Sequence, residues 1–296
     1  VTPPSRAIAP LDFLQLLAIA LIWGANNIAA KIAVDAFPPL MSAAMRFVLV
    51  LLVLAPWLRA PKQSDWKAFA AMLAFTGPVH FGVLYAGLRM ADDAAPMVVA
   101  MQLWAPASVA LAALLLGERV SGLRWAGVVV AFAGAVSLNF DPAVFAQAGA
   151  LIVTGLGSCI YGLGAVFMRR VSPMSVWNMQ AWVALATAPS LALCSLLFER
   201  NHLEAAESAS WPAWAATAWG ALLSSVLAST MLFRLVQRYE VSRTTPYLLV
   251  TPAVSFVLAW LLLGDRITPQ IILGAAITMS GVTLVALAER RLRAAA

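Results

Sequence analysis

Charge is what this sequence has least of: Asp, Glu, Lys and Arg make up 11% of its 296 residues and hydrophobic residues 62%, where a soluble globular chain carries about 25% charged residues. Only 13 residues are acidic, and none lies near the middle of an apolar stretch, which excludes paired carboxylates for acid–base chemistry at depth. Two histidines and two cysteines complete a sparse chemical inventory. Cys159 and Cys194 both fall inside apolar stretches, where a small apolar filler is the expected role. There is no CxxC, HExxH, GxSxG or phosphate-binding glycine loop, so neither a metal nor a cofactor is expected. Long polar segments are also missing. The longest, Glu199 to Trp211, spans 13 residues and leaves no room for an extramembrane catalytic or receptor module.

What is present is apolar length. A membrane-spanning helix needs roughly 20 mostly apolar residues, and ten such stretches can be read, at about 11–31, 40–58, 67–88, 95–116, 123–140, 148–168, 176–198, 212–233, 244–263 and 269–288. The first resembles a secretory signal in being apolar and ending in small residues, Ala29 and Ala30, but its apolar run is too long for one. Positive charges set the orientation. With the N-terminus inside, fourteen Lys and Arg fall on the cytoplasmic side against four (Lys31, Arg89, Arg200, Arg266) outside. Both termini are therefore expected in the cytoplasm of a bacterium, with the chain in the inner membrane. The net charge of +6 is this loop bias, scattered over six segments, and implies no nucleic-acid partner. The expected partners are the lipid bilayer and a small-molecule substrate, and a monomer suffices.

The ten stretches divide into two halves that repeat one another. Leu114-Leu115-Leu116-Gly117-Glu118-Arg119, followed by Gly127 and Gly134, recurs as Leu261-Leu262-Leu263-Gly264-Asp265-Arg266, followed by Gly274 and Gly281, with identical spacing. Trp23-Gly24 with Lys31 matches Tyr161-Gly162 with Arg169, and Met45-Arg46 after Pro39 matches Met179-Gln180 after Pro173. Five crossings per half give the copies opposite orientations, an architecture of many secondary transporters. The expected fold is an all-α polytopic membrane protein, two inverted five-helix repeats (1–145 and 146–296) around a central cavity.

These residues resemble the drug/metabolite transporter superfamily, specifically its ten-helix members built of two EamA-type repeats. The features that carry the resemblance are Trp23-Gly24 with Lys31, Pro39 followed by Arg46-Phe47, and the paired Gly-Glu-Arg and Gly-Asp-Arg corners, and it covers essentially the whole chain. Within the superfamily the chain looks most like the bacterial aromatic amino acid exporters. The resemblance implies a basket of helices around a cavity lined by both repeats, and export of small metabolites by alternating access. The small multidrug-resistance relatives use a Glu in helix 1, where this chain reads Ile22-Trp23-Gly24-Ala25-Asn26-Asn27. A carboxylate-driven cation exchanger is thus disfavoured, and facilitated diffusion or exchange is preferred to obligatory proton coupling.

Polar groups at depth are costly in lipid and mark candidate sites. His80 is the one ionisable group near a helix centre that titrates near neutral pH; it is read as lining the cavity, beside the alternative of a histidine hydrogen-bonded within the bundle. Arg46 is read as a gate or packing ion pair with Asp35 or Asp92, with a substrate carboxylate as the competing partner, and Lys31 as solvent-facing. Met97, Met101, Trp104 and Ser108 share one face of helix 4, with Gln102 beside it. Tyr247, Thr251 and Ser255 share a face of helix 9, and Met101 aligns with Tyr247 when Pro106 is laid on Pro252. Trp23 and its repeat mate Tyr161 are candidate aromatic walls. Of eleven tryptophans, Trp104, Trp182, Trp219 and Trp23 lie away from helix ends, where an indole N–H needs a partner. Pro78, Pro106, Pro189 and Pro252 interrupt helices near their middles and are candidate kinks or hinges.

Two function classes remain in competition. One is a carrier exporting amino acids with aromatic or bulky apolar side chains; hydrophobic drug or other metabolite efflux, proton-coupled in one version, is its alternative within transport. The other is a membrane-embedded enzyme, which would need a convergent catalytic set. His202, in a short loop among Glu199, Glu204 and Glu207, is read as a solvated loop residue.

Overall fold

Lipid offers the backbone no hydrogen-bond partners, so a spanning segment must satisfy its own amides as a helix. The computed structural model describes residues 9–117, 120–239, 248 and 250–295 and contains helices and no strand among them. The spans are α1 (Pro10–Ala36), α2 (Pro39–Leu54), α3 (Trp66–Met90), α4 (Ala94–Leu116), α5 (Gly122–Ser137), α6 (Ala148–Met168), α7 (Val176–Phe198), α8 (Trp211–Leu235), α9 (Thr251–Leu263) and α10 (Pro269–Ala295). Among the described residues, nine helical stretches are long and apolar enough to cross a membrane, and the described part of α9 is shorter. Proline opens α1, α2 and α10, where its missing N–H would have had no helical partner. Large apolar side chains such as Leu52, Leu114, Val129 and Leu196 are exposed on the outside, as a lipid-facing surface requires.

Prolines act differently from one span to the next. Gly77 separates the two halves of α3, with Pro78 starting the second. In α4 the helix breaks at Gln102 and Leu103, whose amides bond back three residues, to Val99 (3.0 Å) and Ala100 (3.2 Å); this relieves the carbonyl that Pro106 would meet one turn back. By contrast α7 runs through Pro189 unbroken. Pro252 lies in the first turn of the described helix α9, and residues 240–247 and 249 ahead of it lie outside the described residues. Two π-helical stretches, Trp219–Ala228 in α8 and Ala259–Leu263 in α9, have no proline to announce them.

The repeat is visible in the packing. Helix α2 packs on α7 and α5 on α10; α1 packs on α8 and α9, and α6 packs on α3 and α4. Adding five to each number in the first repeat exchanges these pairs among themselves. The repeated corners also match: Gly117 (φ 65°) and Gly264 (φ 75°) both take the left-handed conformation that ends a helix. Glu118 and Arg119 lie outside the described residues.

The repeated glycines meet one another across the α5–α10 seam. A methyl group on Gly281 would stand 2.3 Å from Ala131 N and 2.6 Å from Gly127 O, and one on Gly134 2.4 Å from Thr278 N. Two backbones approach this closely only where side chains are absent.

Candidate functional site

Arg46, the eighth residue of α2, lies about 10 Å along that helix at 1.5 Å per residue. It is 6% exposed and faces a narrow recess between the repeats, too tight to hold a water molecule. Asn26, Ala30 and Ala33 of α1, Ser42 of α2, Tyr85 of α3, and Ala216, Thr217 and Gly220 of α8 complete the lining. Helical spacing explains the assembly: Asn26, Ala30 and Ala33 follow i, i+4, i+7, and Ser42 precedes Arg46 by four, so each set shares a face. Arg46 Nη1 donates to Tyr85 Oη (3.1 Å) and Nη2 to Ser225 Oγ (3.0 Å). Its guanidinium carbon lies 5.2 Å from the Phe81 ring centroid and 5.9 Å from that of Phe47. The expected ion pair with Asp35 or Asp92 is not formed. Asp35 pairs with Lys31, one turn away on the same helix, and Lys31 is buried rather than solvent-facing.

A run of rings leads to this recess. Trp104 meets Tyr161 (5.7 Å, edge to face), Tyr161 meets His80 (5.0 Å), His80 meets Phe81 (4.6 Å), and Phe81 meets both Phe47 (4.6 Å) and Tyr85 (5.9 Å). The run crosses α4, α6, α3 and α2 and so joins both repeats. His80 Nδ1 lies 2.8 Å from Gly157 O; a carbonyl only accepts, so the imidazole carries a proton on Nδ1. Glycines make room for the run: a Cβ on Gly162 would meet Trp104 O at 2.7 Å, and one on Gly157 would meet Leu84 N at 3.0 Å.

Other nominated residues lie elsewhere. Trp182 is at the far end of α7, donating from Nε1 to Arg59 O (3.0 Å) and meeting Phe69 edge on; six residues from its helix start is only about 9 Å, too shallow to reach the recess. Trp23 packs among Leu16, Ile19, Met231 and Leu235 and reaches Ser224 O (3.4 Å) in the π-helical stretch of α8. Met101 packs into the core with Met97, and Gln102 turns to Met279 of α10. Thr251 stands against α1 at Gly24, with its buried hydroxyl unpartnered. Tyr247 lies outside the described residues. Asn26, Ser42, Tyr85, Phe81, Thr217, Gly220 and Ser225 were not nominated; the i, i+4 pairing of Ser42 with Arg46 was the available signal.

The ends of the spans opposite Leu54 and Trp66 are tied together by carboxylates. Glu199, after α7, accepts from Leu40 N (2.8 Å) and Met41 N (3.0 Å), and Asp265, after α9, accepts from Ala95 N (2.8 Å). Each second-repeat acid thus caps a helix N-terminus of the first repeat, where an anion is favoured. Burial pushes the Asp265 carboxyl above its ordinary pKa, and Asp93 adds to the rise while the Ala95 amide and Lys31 oppose it. His202 is not simply solvated: its Nε2 lies 2.8 Å from Ser195 Oγ, because the short helix His202–Ser208 folds back on the end of α7. Glu199 bonds Ser195 itself (2.6 Å), not the imidazole, so these three side chains do not form a nucleophile, base and orienting acid in series.

The model of the EamA-like transporter family matches the chain twice, over residues 12–140 and 148–287. A probable amino-acid metabolite efflux pump of Salmonella typhimurium is 25% identical over 91% of this chain and 92% of its own length. Its Escherichia coli counterpart is 24% identical over 92% and 93%, and an uncharacterized transporter of Bacillus subtilis is 24% identical over 91% and 94%. One solved crystal structure, 21% identical, covers 95% of this chain and 98% of its own, with a TM-score of 0.60, and so shares the fold. With both halves matched and the fold shared end to end, the chain belongs to the EamA-like transporter family and is a multi-pass membrane transporter.

Proposed function

We propose that this transporter exports amino acids with aromatic or bulky apolar side chains from the cytoplasm across a bacterial inner membrane, by alternating access of a site between the two five-helix repeats, 1–145 and 146–296. The observation that carries the reading is the run of rings from Trp104 through Tyr161, His80 and Phe81 to the buried Arg46. Apolar ring faces ending in one fixed cation suit an amphipathic ligand with a small charged head. The names of the Salmonella and Escherichia relatives point the same way, and the fourteen-to-four bias in basic residues supports cytoplasmic termini. A ligand pocket is ordinarily about 300–1,000 Å³, whereas this recess is too tight to hold a water molecule, so loading requires the repeats to part. With no carboxylate at mid-helix, facilitated diffusion or exchange is the preferred mode.

Uptake of labelled phenylalanine, methionine and threonine into proteoliposomes tests this, with and without an imposed pH gradient. Saturable phenylalanine uptake that is indifferent to the gradient is expected. Trp104→Ala and Phe81→Leu, which shorten the run of rings, are expected to lower phenylalanine uptake by about fivefold and to reduce the preference over threonine, since an aromatic contact is worth about 0.5–1.5 kcal/mol. Wild-type vesicles that take up none of the three, or take them up only with a gradient, would send the assignment to other substrates or to proton coupling.

A further inference from the structure

Arg46 is a cation with only neutral partners. Tyr85 and Ser225 hold its two terminal nitrogens and two aromatic rings lie beside it, while among the described residues the one side-chain ion pair within 4.0 Å is Lys31 with Asp35. Arginine does not shed its proton in a protein. An unpaired charge taken out of water costs several kcal/mol, and a side chain free to do so would snorkel to the interface. Arg46 does neither: Tyr85 and Ser225 hold it 94% buried, facing the recess.

Three atoms around the recess are buried with no hydrogen-bond partner: Arg46 Nε, Ser42 Oγ and Asn26 Oδ1. Their chemistry is complementary. Nε is a donor on a cation, the Ser42 hydroxyl can donate beside it, and Asn26 Oδ1 is an acceptor. Gly220 lets the backbone of α8 lie against both groups, since a methyl group there would stand 3.2 Å from Arg46 Nη1 and from Asn26 Oδ1. Phosphate groups fit less well, because a doubly charged head calls for a second cation and Lys31 is already held by Asp35.

We propose that this recess is the head-group subsite for an α-amino acid, with Arg46 and Ser42 taking the carboxylate and Asn26 Oδ1 the ammonium. The assignment rests on the amino-acid reading above and adds to it which atoms read the zwitterion. The substrate's anion neutralises the buried guanidinium, so the ligand supplies the charge that the protein omits. A molecule with the same side chain but no carboxylate leaves Arg46 unpaired and is rejected, as sites built to pair a polar group reject analogues that lack it.

Proteoliposomes containing wild type, Arg46→Gln, Arg46→Lys or Asn26→Ala are given phenylalanine, phenylalaninamide and 3-phenylpropionate in competition uptake, with ligand-induced shifts in melting temperature read on the same preparations. Wild type is expected to take up phenylalanine and to discriminate against the amide by at least about tenfold. Arg46→Gln is expected to melt no lower than wild type, since it removes an unpaired buried charge, yet to lose the phenylalanine-induced shift and at least about tenfold in uptake. Arg46→Lys, which keeps the charge but not the planar fork, retains part of the activity. Asn26→Ala weakens phenylalanine and leaves competition by 3-phenylpropionate unchanged. If wild type takes up phenylalanine but treats the amide alike, or Arg46→Gln retains the shift and the discrimination, the subsite assignment is overturned while the amino-acid carrier stands. If wild type takes up no phenylalanine, the carrier reading fails first and takes the subsite with it.

Discussion

Gly281→Val is expected to abolish recovery of folded protein. The added Cβ would lie 2.3 Å from Ala131 N and 2.6 Å from Gly127 O, and these are backbone atoms of α5 that cannot rotate out of the way as a side chain would. Either the α5–α10 seam opens along its length or one helix shifts in register. Overpacking an interior usually costs about 1–3 kcal/mol when side chains can yield; here nothing yields, so the cost exceeds that range. Monodisperse protein extracted in mild detergent should fall at least about tenfold, with Gly281→Ala intermediate. Gly122→Ala is the control, because nothing lies within 4 Å of a Cβ at that position. A wild-type yield from Gly281→Val would show that the seam is not closely packed.

Gly220→Val is expected to give the opposite pairing of effects: protein retained, transport lost. The nearest atoms to a new Cβ are Arg46 Nη1 at 3.2 Å, Asn26 Oδ1 at 3.2 Å and Arg46 Cζ at 3.3 Å, all at the ends of side chains that can give by a few tenths of an ångström. Replacing a helical glycine also removes a propensity penalty of about 0.5–1 kcal/mol relative to alanine. The branched side chain then occupies the space between the guanidinium and the carboxamide. Phenylalanine uptake should fall at least about tenfold with melting temperature within a few degrees of wild type. Full uptake with a blocked recess would place the route elsewhere in the bundle.

The fold was readable because lipid leaves few alternatives. Apolar length located the spans, and the repeated corners at Gly117 and Gly264 take the same left-handed backbone. The repeated glycines proved to be the contact between α5 and α10. The candidate site was only partly readable. Helical spacing identifies residues that share a face but not what the face meets, so Trp23 lies against other partners than the ring run, and Trp182 sits too near the start of α7 to reach it. A charged residue near a helix end could have paired with any of several acids; Asp35 was already claimed by Lys31 on its own helix, which left Arg46 to Tyr85 and Ser225. The π-helical turns of α8 carry Ser224 and Ser225 to α1 and Arg46. Nothing in local composition signals them, since they arise where tertiary contacts outweigh the regular ladder. The carboxylate caps from Glu199 and Asp265 were hidden for a related reason: both are ordinary loop acids until the fold brings a helix N-terminus to each.

The central claim is that one site between the repeats is open to each side of the membrane in turn. Thr217, which lines the recess, can be made the single cysteine by combining Thr217→Cys with Cys159→Ala and Cys194→Ala, and labelled with a membrane-impermeant maleimide applied to either face of oriented vesicles. Labelling from both faces, slowed from both by saturating phenylalanine, is the predicted result. Labelling from one face alone, at a rate phenylalanine leaves unchanged, would contradict alternating access through this recess.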